Sequence, residues 1–146
     1  MQNITLKKLD TEDISGVAQI ESRCFSEPWS ENSLKMLTEP NAFGVVCYDG
    51  ETAASYGGMI CVLDEGQITN IATLPEFRRR GHAEKTLSAM LDEAKNRGLA
   101  FVTLEVRESN APAIALYERN GFSIMGKRPN FYRKPIEAAL IMEKKL

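Results

Sequence analysis

Apolar and polar residues alternate along the chain with two periods, one typical of strands and the other typical of helices. Residues 66–73 are rich in Ile and Thr and contain no Pro, which predicts a strand. Residues 83–94 carry Ala, Leu and Met at helical spacing with charged residues between them, and Gly98 supplies a stop just beyond. The centre of the chain is therefore predicted to be a strand, a turn and a helix.

The same two periods predict elements on both sides of this centre. Asp49-Gly50 is a strong hairpin signal, Asp64-Glu65-Gly66 is a second turn, and Asn120-Gly121 closes a helix in a left-handed cap. Gly57-Gly58 inside a predicted strand indicates a bend or the close approach of another backbone. The other predicted strands are residues 4–9, 42–48, 52–62, 101–106, 122–127 and 136–143. The other predicted helices are residues 10–24, 30–37 and 109–117, with caps at Asp10 or Thr11, at Ser30, and at Ser109 or Asn110.

The order of these elements, β-α-α-β-β-β-α-β-α-β-β, predicts the fold class. The strands within residues 42–73 form an antiparallel meander, whereas strand 101–106 lies parallel to strand 66–73 because a helix joins them. We expect an α/β (α+β) fold, with a mixed, mostly antiparallel sheet of about six or seven strands and helices on both faces. At 146 residues the chain fits one domain, residues 1–146.

Composition and charge exclude several classes of partner. The chain is 43% hydrophobic and 26% charged, which is typical of a soluble globular protein. A net charge of −2 provides no overall attraction to nucleic acid or to an anionic membrane. No apolar run approaches the ~20 residues needed to span a bilayer, and residues 1–7 lack the zones of a signal peptide. We therefore expect neither a nucleic-acid nor a membrane partner.

Cysteine and histidine usage narrows the chemistry further. Cys24, Cys47 and Cys61 are odd in number, widely spaced and set in apolar surroundings, which indicates reduced thiols in a cytoplasmic protein. His82 is the only histidine, so zinc sites built on several histidines are excluded. The same residue is badly placed to serve a Ser-His-Asp triad. The sequence predicts no metal site.

The turn between the central strand and helix is the first candidate for binding. Residues 78–83 contain three arginines and Gly81. The first N–H groups of a helix have no intrahelical partner and its dipole favours negative charge, so such a turn is an anion site. Gly81 would let the backbone approach a ligand that a Cβ would obstruct. The spacing fits neither a Walker loop nor a dinucleotide turn, and a solvated basic helix start remains the alternative.

Three motifs in order resemble the GCN5-related N-acetyltransferase (GNAT) family along nearly the whole chain. Arg78, Gly81 and Ala83 occupy the defining places of its Arg/Gln-x-x-Gly-x-Gly/Ala pyrophosphate loop. The stretches Leu104 to Asn110 and Ala115 to Phe122 are similar to the signature of its RimI-type members, the ribosomal-protein-alanine N-acetyltransferases. Similarities to that subgroup also occur at residues 25–30 and 70–72.

The resemblance implies a co-substrate, acetyl-CoA, and a set of residues that hold it. In this family the two central parallel strands splay apart, which exposes backbone groups to the pantetheine arm. A backbone donor there would also stabilise the oxyanion of the thioester carbonyl. The implied acetyl-CoA contacts are Ile71, Ala72, Thr73, Arg78, Arg79, Arg80, Gly81, His82, Ala83, Glu84 and Asn110.

The resemblance also implies two catalytic residues. Glu105 is the candidate base, on a strand face where partial cover would favour proton uptake, and its alternative is a surface glutamate paired with an arginine. Tyr117 is the candidate acid that returns a proton to the leaving thiolate, and its alternative is a core tyrosine.

The acceptor cleft is expected between residues 25–30 and residues 130–132, with Trp29, Phe131 and Tyr132 as candidate substrate-binding residues. For the two aromatic residues near the last hairpin, the alternative is an aromatic loop that covers the core. The sequence also departs from the expected pattern. Ala138 stands where the subgroup often carries Asp, and Glu84 stands where a basic or neutral residue is usual.

The sequence therefore predicts acetyl transfer from acetyl-CoA to the N-terminal α-amine of a protein, with alanine of a small-subunit ribosomal protein as the favoured acceptor. Transfer is expected by direct attack in a ternary complex. The alternatives are a GNAT enzyme that acetylates lysine, a polyamine or another small amine, and a non-catalytic module that binds acyl-CoA. A nucleic-acid-binding role for the three arginines is weaker, because no aromatic platform accompanies them.

Overall fold

The computed structural model describes residues 3–146; Met1 and Gln2, which the prediction on targeting signals includes, lie outside the described residues. The strands are β1 (Ile4–Lys8), β2 (Ala42–Asp49), β3 (Thr52–Val62), β4 (Glu65–Thr73), β5 (Phe101–Arg107), β6 (Ser123–Arg133) and β7 (Ile136–Lys145). The α-helices are α1 (Ile14–Cys24), α2 (Glu31–Leu34), α3 (His82–Asn96) and α4 (Ala111–Arg119). Single 3₁₀ turns occupy Thr11–Asp13, Lys35–Thr38 and Pro75–Phe77.

The seven strands form one sheet in the order β1-β2-β3-β4-β5-β7-β6. Strands β4 and β5 are parallel, and the other neighbouring strands pair antiparallel. The parallel pair follows from the crossover through α3, as the sequence predicted. The predicted fold class, a mixed and mostly antiparallel sheet with helices on both faces, is confirmed.

Each face of the sheet packs against its own helices. On one face, Leu87 and Met90 of α3 and Leu116 of α4 join a buried core with alternate residues of β5. On the other face, Ile20 of α1 and Leu34 of α2 pack in a second core. The strand period of two therefore decides which β5 side chains are buried under α3 and which face the opposite side.

The predicted turns and strand ends differ from the structure at two hairpins. The turn after β3 is made by Leu63, at φ 55°, and Asp64, whereas Glu65 and Gly66 already belong to β4. The turn predicted at residues 64–66 is therefore present but lies at residues 63–64, and the assignment of Glu65 and Gly66 to it is wrong. Gly66 is buried instead, and a Cβ there would collide with the Met59 side chain.

Strand β6 extends to Arg133, beyond its predicted end at residue 127. Pro129 lacks a backbone donor and suggests a strand end, but the register against β7 shifts between Arg128 and Tyr132 and accommodates it. Phe131 and Tyr132 consequently belong to an irregular strand rather than to a loop.

The bend predicted at Gly57-Gly58 is present as a register shift between β3 and β4. The close approach there comes from side chains and not from another backbone. A Cβ on Gly57 would collide with Met90, and a Cβ on Gly58 would collide with Leu37. The two glycines thus make room for the cores on the two faces of the sheet.

Asp13 links the start of α1 to β1 and β2, and its replacement is expected to destabilise the fold. The buried carboxylate accepts hydrogen bonds from Tyr48 Oη at 2.6 Å and from the backbone N–H of Asp10 at 2.8 Å, and it pairs with Lys7. Burial alone would raise the pKa of Asp13, but these bonds outweigh it and lower the pKa below its usual value. Asp13→Asn should lower the free energy of unfolding by about 1–3 kcal/mol at pH 7.

The effect of Asp13→Asn should depend on pH in a defined direction. Because the folded-state pKa is lowered, the stabilisation is complete above the unfolded value of about 4 and is lost as the pH falls through the folded value. Urea unfolding at pH 7 and at pH 3 should show the gap between wild type and variant narrowing in acid. Glu12→Gln, which removes the exposed second partner of Lys7, should change stability by less than about 1 kcal/mol. An equal gap at both pH values would contradict this role of Asp13.

Candidate active site

A bulge in β4 opens a cleft at the centre of the sheet. The register of β3 against β4 shifts between Gly57 and Met59, where Thr69 and Asn70 together oppose Gly58. A bulge of this kind bends its strand and increases the local twist. The parallel pairing of β4 with β5 covers three residue pairs before the bulge. Beyond it the strands part, and a cleft of about 670 Å³ lies between them.

The parting leaves backbone groups of β4 directed into the gap. The N–H of Leu74 donates to the Ala54 carbonyl of the β3 side at 2.8 Å. The Thr73 carbonyl instead accepts from Arg78 Nε at 3.1 Å, on the side away from β3. Because backbone groups alternate along a strand, Ile71 presents its N–H and C=O on the same side as Thr73. Ile71 thus offers a donor and an acceptor to an extended polar chain in the gap.

The basic turn connects the end of β4 to α3. Arg78 folds back on β4, and its Nη2 lies 3.7 Å from Sγ of Cys24, which lines the cleft. The Arg80 guanidinium lies 5.5 Å from the centre of the Phe77 ring. Gly81 caps α3 with φ 84°, a left-handed conformation that favours glycine. A Cβ on Gly81 would meet no protein atom within 4 Å, so the space above the turn is open.

Two residues of this turn have side chains that point to other parts of the protein. His82 is buried, with Nε2 2.9 Å from Oδ2 of Asp49 and its ring edge-on to Phe77. Only its backbone N–H, in the first turn of α3, is placed to meet an anion. The Glu84 carboxylate lies 3.3 Å from Arg119 Nη2 and also accepts from Asn120. Arg119 therefore offsets the negative charge of Glu84, the residue that departs from the pattern expected for the family.

Glu105 lies on β5 and lines the cleft. Strand alternation places it opposite the buried Leu104 and Val106, as predicted. Its side chain remains 37% exposed, and its carboxylate lies 3.7 Å from Arg128 Nη1. Glu105 is therefore more exposed than the predicted half-covered face implies. Its position also fits the alternative of a surface glutamate beside an arginine.

Tyr117 lines the same cleft from α4. Its ring is buried and packs edge-on against Phe122, with 5.7 Å between ring centroids. Burial, with Tyr132 nearby, raises the pKa of Tyr117, so the phenol retains its proton across the working range. Tyr117 is thus a core tyrosine that also reaches the cleft.

Asn110 caps α4, where its side-chain oxygen accepts from the N–H of Ala113 at 3.3 Å, and it also lines the cleft. Both interpretations of this residue fit the geometry. Of the sequence-predicted site residues, those that line the cleft are Trp29, Ile71, Glu105, Asn110, Tyr117, Phe131 and Tyr132. The remaining ones, Ala72, Thr73 and residues 78–84, lie at the end of β4 and the start of α3.

The end of the cleft where the acceptor is expected has two walls, and these walls contact each other. One is the segment between α1 and α2, which contains Trp29, and the other is the β6–β7 hairpin, which contains Phe131 and Tyr132. The Ser26 hydroxyl donates to the Lys134 carbonyl at 2.6 Å and joins the walls. Burial raises the pKa of Tyr132, and the nearby Glu105 carboxylate raises it further. This end is therefore lined by aromatic rings close to Glu105.

The sequence analysis missed Glu21, a fully buried carboxylate behind the cleft. It accepts hydrogen bonds from the Trp29 N–H and Asn70 Nδ2, each at 2.8 Å, and from the Tyr56 hydroxyl. Glu21 occupies a helical position in register with Ile14 and Val17 on the apolar face of α1. The signal available in the sequence was a glutamate at a position of α1 that the helical period assigns to the apolar face. Such a buried charge requires donors that compensate for its burial, and this need indicates a polar cluster.

Within residues 3–146, no group of three or more His, Cys, Asp and Glu side chains is placed to hold a metal ion. The helices in this same range are too short or too polar to cross a bilayer.

Comparisons with known proteins agree on one family. The sequence model of the acetyltransferase (GNAT) family matches residues 14–122. The ribosomal protein bS18-alanine N-acetyltransferase of Salmonella typhimurium is 38% identical over 128 residues, which are 88% of this chain and 86% of that protein. The crystal structure of the ribosomal-protein-S18-alanine N-acetyltransferase from Escherichia coli superposes with a TM-score of 0.90 at 35% identity, covering 97% of this chain and 93% of that one. Ard1 from Thermoplasma volcanium, at 24% identity, shares the fold with a TM-score of 0.89 over 98% and 97% of the two chains.

Proposed function

Because this chain belongs to the acetyltransferase (GNAT) family, we propose that it transfers the acetyl group of acetyl-CoA to the N-terminal α-amine of a protein, with alanine of a small-subunit ribosomal protein as the acceptor. One observation carries the proposal. The cleft opened by the parting of β4 and β5 contains Glu105 and Tyr117 together, and its edge at Cys24 contacts Arg78 of the basic turn.

The binding of acetyl-CoA is assigned to two regions of the site. The diphosphate meets the N–H groups at the start of α3 and the arginines of residues 78–80, since both favour an anion. The amide-rich pantetheine arm lies along β4, where Ile71 offers a donor and an acceptor, with Asn110 across the gap. This arrangement directs the thioester toward Glu105 and Tyr117.

The protonation state of the amine decides what the protein must supply. Only a neutral amine attacks the thioester carbon; the C–N bond forms, the C–S bond breaks, and the amine loses a proton. An α-amine with pKa near 8 costs about 1 kcal/mol to deprotonate at pH 7, whereas a lysine near 10.4 costs about 4–5 kcal/mol. Glu105, partly open to solvent, accepts the proton through water. Tyr117, which stays protonated, donates to the leaving sulfur.

The shape of the acceptor end favours a chain terminus. The hydrogen bond between Ser26 and Lys134 joins the two walls, so the acceptor enters between them end-on. Trp29, Phe131 and Tyr132 contact the first residues of the peptide. The names of the relatives from Salmonella typhimurium and Escherichia coli support a ribosomal-protein alanine as acceptor and hence work in the cytoplasm.

The test measures thiol release from acetyl-CoA with two matched peptides. Both peptides have the same Ala-starting sequence, which contains one internal lysine. The first has a free N-terminus and the second has a blocked N-terminus. We expect release with the first and at most a small rate with the second, because of the greater cost of deprotonating lysine. A higher rate on the blocked peptide or on polyamines would show that lysine or a polyamine, and not the N-terminal α-amine, is the acceptor. Binding of CoA without thiol release on any amine would indicate a non-catalytic module.

A further inference from the structure

Arg107 connects β5 to the tip of the β6–β7 hairpin. Its Nη2 donates to the Lys134 carbonyl at 3.1 Å, and its Nη1 donates to the Pro135 carbonyl at 3.0 Å. The same Nη1 lies 3.2 Å from Oε1 of Glu137. The guanidinium also lies over the Tyr132 ring, 4.3 Å from its centre. One side chain thus holds two turn carbonyls, a carboxylate and an aromatic ring.

Glu137 extends this connection to the start of α4. Its second oxygen accepts from the backbone N–H of Ser109 at 2.6 Å, immediately before the Asn110 cap of α4. The Lys134 carbonyl, which Arg107 binds, also accepts from Ser26 of the opposite wall. The hairpin tip is therefore tied to β5, to the start of α4 and to the segment after α1.

We propose that Arg107 is a positioning residue that holds the β6–β7 hairpin as a preformed wall of the acceptor cleft, with Tyr132 facing the peptide. This inference rests on the proposed function. The planar guanidinium has five donors in a fixed fork, so it serves carbonyls and a carboxylate at once while stacking on a ring. Without it, the hairpin must become ordered when the peptide binds, and that ordering weakens binding.

Arg107→Met is expected to raise KM for an Ala-starting peptide by about tenfold while KM for acetyl-CoA stays within about twofold. The selective change follows because the contacts of Arg107 lie on the acceptor wall and not on the basic turn. Arg107→Lys keeps the charge but loses the fork, so its KM for the peptide should lie between those of wild type and Arg107→Met. Steady-state kinetics with each substrate varied in turn measures these values.

Arg97 provides a matched control far from the cleft. Its side chain is 23% exposed, compared with 26% for Arg107. It contacts the same kinds of group, namely Glu93 at 2.8 Å, the Pro40 carbonyl at 3.2 Å and the Phe43 ring at 4.7 Å. Arg97→Met should therefore lose similar contacts and leave both KM values within about twofold of wild type.

Limited digestion with trypsin supplies a second readout that needs no turnover. Cleavage after Arg133 should be faster in Arg107→Met than in wild type or Arg97→Met, because the hairpin loses its anchor. Unchanged cleavage, or an equal rise in both KM values, would overturn the inference. If the wild-type protein released no thiol with any Ala-starting peptide, the proposed function would fail. The digestion alone would then decide whether Arg107 orders the hairpin.

Discussion

Replacement of Glu105 by Gln is expected to lower kcat/KM for an Ala-starting peptide by about 10²- to 10³-fold at pH 7. Gln keeps the size of the side chain and an oxygen in the cleft, but it does not take up a proton. The variant must therefore rely on the fraction of α-amine that is already neutral, roughly a tenth at this pH, which accounts for about tenfold of the loss. The rest arises because the nitrogen still carries a proton after the attack and must lose it without the base. Measurement of the pH–rate profile of both proteins between pH 6.5 and 9.5 tests this role.

The loss in Glu105→Gln should shrink as the pH rises. Above the α-amine pKa of about 8, the substrate arrives neutral and the base contributes less. Glu108→Gln is the matched control, since Glu108 is also on the surface after β5 and its carboxylate pairs with Lys127 of β6 at 2.7 Å. That control should retain activity within about twofold. Parallel profiles for wild type and Glu105→Gln would remove Glu105 from the role of base.

Much of the fold was predictable because each element carries its own periodicity. The seven strands and four helices appear in the predicted order. The Ser30 cap was predicted from its residue type, and Asn110 is one of the two candidates offered for the cap of α4. Errors occurred at two hairpins, where pairing with the next strand overrides local signals. Pro129 looks like a strand end, yet β7 continues to pair with β6 beyond it.

Apart from the basic turn, which local residues indicate as an anion site, the candidate site was predictable only through the resemblance, because no local pattern brings residues of different elements together. Glu105 and Tyr117, which lie twelve residues apart, were chosen from two motifs, and the structure places both on one cleft. Arg107 was read as part of a motif without a role of its own. Its hydrogen-bond partners lie 27 to 30 residues further along the chain, where only the folded hairpin places them.

Tyr117→Phe is expected to lower kcat by about 10²-fold with KM for the peptide within about twofold of wild type. The hydroxyl is assigned to the leaving sulfur, an interaction that develops in the transition state and contributes little to peptide binding. Since burial raises the pKa of Tyr117, wild-type kcat should show no decline from its ionisation up to about pH 10. The loss in Tyr117→Phe should therefore stay constant with pH, unlike that in Glu105→Gln.

Tyr117→Phe removes the hydroxyl that is assigned to proton donation and keeps the packing of the ring. It keeps the ring that packs edge-on against Phe122, so the free energy of unfolding should change by less than about 1.5 kcal/mol. Tyr48→Phe is the control, because it removes another phenolic hydroxyl, the one that donates to Asp13 outside the cleft. That control should lose stability and retain kcat. A Tyr117→Phe protein with wild-type kcat would show that the proton reaches the sulfur from another donor, and Tyr117 would then serve the core alone.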